Sequence, residues 1–292
     1  MRICYVAKHD QRRSNDDEGA ICHALEALGH EVVRISEHDR LNYGRLTGDL
    51  LLFHGWHDFE SIRRTRMPRA FWYFDLVDFP DPTLRARCDA RVEWVRRVTE
   101  LCDVGFLTDG DWVAGDRSGK LHWLPQGTDE RKIYRGRPLA VAPVVFTGIS
   151  RGGGVQRESF VAEMERVWGP KFCHVPKGAY GRDLADLAAG TRVVVAPDSP
   201  VTPRYWSNRA YLAAGHGAVL LHPACGLEEH YRDGVEVAFY HSRTELHEMI
   251  EYYLSHPGER AAMSAAAMAR TTTKHTYRHR CEQLVRAVEG LR

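Results

Sequence analysis

Short apolar runs alternate with amphipathic stretches along the first half of the chain. Residues 3–7, 31–35, 49–54, 69–74, 104–108 and 121–124 read as buried strands. Helical patterns cover 19–28 and 84–102, and the second carries Val92, Val95, Val98 and Leu101 near helical spacing. Strands that alternate with helices predict right-handed crossovers and a largely parallel, doubly wound sheet.

The alternation breaks at 131–143, where four basic residues, two prolines and a glycine show no period. It restarts with strands at 144–147, 171–175, 192–196 and 218–222. Helices are predicted at 157–168, 182–189, 205–215, 243–254, 260–270 and 277–289. The expected fold class is therefore α/β, with two Rossmann-like doubly wound domains, residues 1–136 and 137–292. Such a pair implies a ligand cleft at the carboxyl ends of the strands.

Composition adds bounds. A chain of 292 residues with 43% hydrophobic and 27% charged residues suits a globular protein. Net charge +1 gives no global reason to expect nucleic acid or a membrane as partner. Seven scattered cysteines fit reduced thiols, and the N-terminus enters a strand without a signal-peptide pattern. No apolar run approaches the ~20 residues of a membrane span. The expected location is cytoplasmic.

Two motifs carry anion chemistry. Ser207, Asn208 and Arg209 open the predicted helix at 205–215, where free backbone N–H groups and partial positive charge suit a phosphate. Gly148-Ile149-Ser150-Arg151-Gly152-Gly153-Gly154 follows a strand, so amides could approach an anion and Arg151 could neutralise a diphosphate. Its spacing is not the dinucleotide fingerprint, and a plain flexible turn is the alternative.

The segment 205–223, with Trp123-Leu124-Pro125-Gln126-Gly127-Thr128-Asp129, Val145-Phe146-Thr147-Gly148, Gly226-Leu227-Glu228-Glu229 and His275-Thr276-Tyr277, resembles the GT-B glycosyltransferases. The closest resemblance is to their CgeB-like, group 1 branch, over roughly the last 170 residues. It implies an acceptor-binding first domain and a nucleotide-sugar-binding second one, whose last helix in many relatives packs back on the first. Gly148 and Arg151 would lie by the diphosphate, Ser207, Asn208 and Arg209 by phosphate or ribose, and Glu228 or Glu229 near the donor. Many relatives hold ribose with a glutamate where this chain has Ala210. The implied activity is transfer of a hexose to a hydroxyl acceptor, with UDP-glucose as the default co-substrate and no other cofactor or metal.

An inverting transferase needs a base. Asp75 ranks first, because a carboxylate after the aromatic strand 69–74 would be partly desolvated; Asp78 and His54 follow, with His57 beside them. Arg63, Arg64, Arg66 and Arg69 lie near Trp56, Phe59, Trp72 and Tyr73, joined by Arg12, Arg13, Arg85, Arg87 and Arg91. A solvated helix face is the plain reading of these arginines. The sharper one is a polyanionic acceptor such as DNA with hydroxymethylated bases, with Trp56 stacking on a base. Two other functions stay open: a sugar-nucleotide epimerase or hydrolase, and a non-catalytic nucleic-acid-binding module. No His/Cys spacing resembles a zinc site.

Overall fold

The computed structural model describes residues 1–9, 17–39, 43–54, 59–78, 85–149, 155–176, 179–197 and 201–291. The chain forms two compact units, Met1–Asp129 with Tyr277–Arg292, and Glu130–Thr276.

The first unit is built on six parallel strands: β1 (Arg2–Ala7), β2 (Glu31–Ser36), β3 (Leu50–Phe53), β4 (Arg69–Tyr73), β5 (Val104–Leu107) and β6 (Leu121–Trp123). Their order is β2-β1-β3-β4-β5-β6, so the winding reverses between β1 and β3. Period-two alternation sends the side chains of one strand to opposite faces. Ile3 and Tyr5 of β1 join one core with helix α1 (Asp17–Ala27), while Cys4 and Val6 join another. Helices α2 (Phe59–Arg64) and α3 (Arg85–Leu101) cover that second face, supplying Ile62, Trp94, Val95 and Val98. A short helix, α4 (Gly110–Gly115), starts at Asp109, whose carboxylate accepts the Trp112 N–H at 3.0 Å. The sequence pattern predicts neither α2 nor α4, both too short to show a period.

The second unit carries β7 (Val144–Thr147), β8 (Phe172–Val175), β9 (Val193–Val195), β10 (Leu220–Pro223) and β11 (Ala238–Tyr240). All pairings are parallel in the order β11-β10-β9-β7-β8, with the reversal between β7 and β9. Helices α5 (Val155–Trp168), α6 (Gly181–Gly190), α7 (Arg209–Gly215), α8 (Arg243–Ser255) and α9 (Pro257–Lys274) flank it. The stretch expected as a linker is not loose where it meets α6. A Cβ on Gly136 would fall 2.1 Å from the Ala185 carbonyl carbon, and the Arg137 N–H donates to Asp186 at 2.7 Å.

Helix α10 (Tyr277–Glu289) is part of the first unit, although it ends the chain. Tyr277, Cys281, Leu284 and Val288 lie in the core of Ile3, Tyr5 and Trp72. Full burial of such side chains contributes roughly 1.5–3 kcal/mol each, which offsets the ordering of a terminal helix. Buried Arg280 adds hydrogen bonds from Nε to the carbonyls of Pro125 and Gln126, at 3.0 and 3.1 Å.

Candidate active site

In a doubly wound sheet, ligands bind outside the carboxyl ends of the strands where the winding reverses. Each unit places chemistry-bearing residues at that point.

In the first unit, His54 directly follows β3, and Glu18 lies in the first turn of α1, the helix after β1. The two therefore flank the β1/β3 reversal. His54 is 7% exposed. Its Nε2 lies 3.5 Å from Glu18 Oε1 and 3.2 Å from the Tyr5 hydroxyl. Burial, reinforced by Glu18, holds the Tyr5 phenol well above its ordinary value, so it keeps its proton. The Phe74 ring packs edge-on against the imidazole at 4.8 Å. Nearby on the same edge, Gln126 donates to Asp17 at 3.3 Å. Glu18 and Tyr5 escape sequence reasoning, because a carboxylate in a first helical turn and a tyrosine in a strand are both ordinary.

Asp75 and Asp78 also follow a strand end, but neither is desolvated as the aromatic strand suggests. The Asp75 side chain is 58% exposed and pairs at 2.9 Å with Arg91, whose second nitrogen donates to the Leu76 carbonyl at 2.8 Å. Asp78 is 42% exposed and pairs with Arg85 at 2.9 Å. The aromatic rings of β4 turn into the cores, so they leave the loop carboxylates in water.

The arginine cluster is at the opposite edge. Arg69 is the first residue of β4, and its backbone N–H donates to Asp103, the residue before β5. Six residues of near-extended chain, roughly 20 Å, separate Arg69 from Asp75. Arg63 and Arg64 end α2 and are exposed with Arg66; Arg64 pairs with Glu60 at 3.5 Å. These arginines therefore share no site with His54, Asp75 or Asp78. Trp56, His57, Arg12 and Arg13 lie outside the described residues.

In the second unit, Gly148 follows β7 and Arg209 begins α7, the helix after β9, so this pair flanks the β7/β9 reversal. Gly148 has φ +150°, and the Arg209 guanidinium closes over it: a Cβ there would meet Nη2 at 2.8 Å. The same guanidinium lies 5.7 Å from the Phe146 ring centre. His174 stacks on that ring at 5.1 Å and 5°, and its Nε2–H donates to the Gly148 carbonyl at 2.8 Å. His174 comes from β8 and has no motif in the sequence. A fixed cation beside a glycine turn at a switch point is chemistry suited to a diphosphate.

The helix here is shorter than its pattern predicts. Tyr205 forms an isolated bridge with Thr202, and buried Trp206 donates to the Tyr211 hydroxyl at 2.8 Å, so helical geometry begins only at Arg209. Ser207 and half-buried Asn208 precede it, and Asn208 makes no side-chain cap. Glu228 accepts the N–H groups of Cys225 and Gly226 at 3.2 and 2.8 Å, closing the tight turn that follows β10. Glu229 pairs with Arg204 at 3.3 Å. Arg151 lies outside the described residues. Among the described residues no cluster of His, Cys, Asp and Glu could hold a metal ion, and no helix is long and apolar enough to cross a membrane.

Residues 157–286 match the family model described as glycosyl transferase-like. No curated protein matches the sequence. Among solved structures, sucrose-phosphate synthase from Thermosynechococcus elongatus superposes with TM-score 0.71 at 14% identity, covering 100% of this chain and 99% of that one. Anabaena HepE in complex with UDP and glucose gives 0.65 at 13% identity, covering 99% and 100%. A mutant of T4 phage BGT in complex with UDP-glucose gives 0.63 at 13% identity, again covering 99% and 100%.

Proposed function

We propose that this chain, which has the GT-B fold and matches a glycosyl transferase-like family model over residues 157–286, moves a hexose from a nucleotide diphosphate sugar, UDP-glucose by default, to a hydroxyl acceptor. The observation that carries this reading is the pairing of Gly148 with Arg209 at the β7/β9 reversal. The guanidinium would offset charge that develops on the departing diphosphate, where an oriented cation acts most strongly. Gly148 would let the phosphate approach the backbone. UDP and UDP-glucose in the structures of HepE and T4 phage BGT favour this donor class.

His54 is the proposed base, ahead of Asp75 and Asp78. It is buried at its own switch point, with Glu18 near enough to stabilise the imidazolium formed when the acceptor hydroxyl loses its proton. The balanced step is attack of the acceptor oxygen on the anomeric carbon and cleavage of the sugar–phosphate bond. The hydroxyl proton passes to His54, and the electron pair leaves on the nucleoside diphosphate. This route inverts the anomeric carbon.

A hydroxymethylated base in DNA is a second acceptor reading, favoured by exposed Arg63, Arg64 and Arg66. Against it, two arginines at the carboxyl edge are already matched by acids: Arg91 with Asp75, and Arg85 with Asp78 and Asp89.

The test is a transfer assay with UDP-glucose and a panel of hydroxyl acceptors that includes hydroxymethylated DNA. His54→Ala is expected to lower kcat by about 10²–10⁴-fold with donor binding kept. Full activity in that variant, or product with retained anomeric configuration, overturns the base. UDP release as fast without acceptor as with it points instead to a hydrolase.

A further inference from the structure

The edge of the second sheet opposite Gly148 and Arg209 holds a cavity of about 410 Å³. It opens at the amino ends of β9 and β10, where Arg192 and His216 precede the strands. Arg135, Arg192 and Arg260 all line it, and among the described residues no carboxylate does. Nor does any of the three arginines form an ion pair among the described residues.

The surroundings of these cations are organised. Arg135 Nη1 donates to Ser264 Oγ at 3.1 Å, and that hydroxyl donates to the Gly217 carbonyl at 2.6 Å. Gly217 has φ +75°, and a Cβ there would crowd Ser264 Oγ at 3.0 Å and Arg135 Nη1 at 3.3 Å. The chain beside Arg135 is fixed to α6 through Gly136 and Arg137. Arg260 donates to the carbonyls of Tyr253 and Leu254. Burial and the like charge of Arg192 pull its pKa below the ordinary value. His216 is 3% exposed, with Nδ1 3.0 Å from the Tyr134 carbonyl. Three cations held close together without an acid repel one another, and an anion between them removes that cost.

We propose that this cavity binds a phosphomonoester of sugar-phosphate size. Its volume falls within the range of small-molecule sites and exceeds what a bare phosphate fills. Arginine forks match phosphate oxygens, while Pro138, Ala188 and Pro257 leave an apolar wall for the carbon skeleton. The site is independent of the donor edge, since Arg209 and Gly148 take no part in it.

The experiment is calorimetric titration of the full chain with ribose 5-phosphate, inorganic phosphate and ribose. Wild type is expected to bind ribose 5-phosphate more tightly than inorganic phosphate, and ribose not measurably. The exposed pair Arg135→Ala/Arg192→Ala should weaken ribose 5-phosphate at least about tenfold while the free protein stays folded by circular dichroism. Arg192→Gln alone should lower affinity in the same direction, and it serves if the double variant fails to fold. Arg209→Ala should bind as wild type does. Four results overturn the proposal: no binding up to ~10 mM, equal affinity for the two phosphates, unchanged affinity in the arginine variants, or loss of binding in Arg209→Ala. The last would move the phosphate to the donor edge.

Discussion

The guanidinium of Arg209 lies so close over Gly148 that a single added methyl would come within 2.8 Å of Nη2. The contact joins the residue after β7 to the first residue of α7, on either side of the point where the second sheet reverses. Gly148→Ala is therefore expected to act on the arginine rather than on the core. The flexible guanidinium swings away, and the left-handed backbone adds strain of ~1–3 kcal/mol. KM for UDP-glucose should rise about tenfold or more. Arg209→Ala should lower kcat/KM by roughly 10²-fold, and Arg209→Lys should restore little, because lysine lacks the fork. Steady-state kinetics with varied donor checks all three, and wild-type activity in Arg209→Ala would sink the donor assignment.

Asp75 and Arg91 provide the reverse expectation. The carboxylate is mostly in water, so Asp75→Asn should keep activity within a few-fold of wild type, as an exposed pair contributes only ~0–1 kcal/mol. Arg91 is 6% exposed and holds the Leu76 carbonyl as well. Arg91→Ala leaves that buried acceptor unsatisfied and should cost ~1–3 kcal/mol of stability. Urea denaturation measures the second effect, and a large activity loss in Asp75→Asn would return Asp75 to the catalytic role.

The histidine at the end of α7 sets a dependence on acid. Burial lowers the pKa of His216 below 6.5, and its hydrogen bond to the Tyr134 carbonyl offsets only part of that effect. Below pH 6.5 the unfolded chain thus binds more protons at this site than the folded one. Stability is lost as pH falls from 6.5 toward the lowered value, with a slope of at most ~1.4 kcal/mol per pH unit. His216→Gln should flatten that part of a melting-temperature profile, and an unchanged slope would show that the proton is taken up elsewhere.

Much of this protein was legible from periodicity alone. The alternation of apolar runs and amphipathic stretches marks ten of the eleven strands among the described residues and both doubly wound sheets, because burial on both faces forces continuous apolar strands. It passes over β11, whose three residues, Ala238–Tyr240, are too few to carry a pattern. Gly148 and Arg209 were also visible, since a glycine after a strand and a cation at a helix start each have a local reason.

Only the tertiary structure decided which residues share an edge. Sequence proximity joined Arg63–Arg69 to Trp72 and Tyr73 of the aromatic strand, yet a parallel strand carries its two ends to opposite edges of the sheet. It also hid the partner of His54, because Glu18 reaches it only through the pairing of β1 with β3. Strand and helix periods are local quantities, so a sequence fixes them one segment at a time. A site at a switch point depends on strand order, which non-local pairing sets.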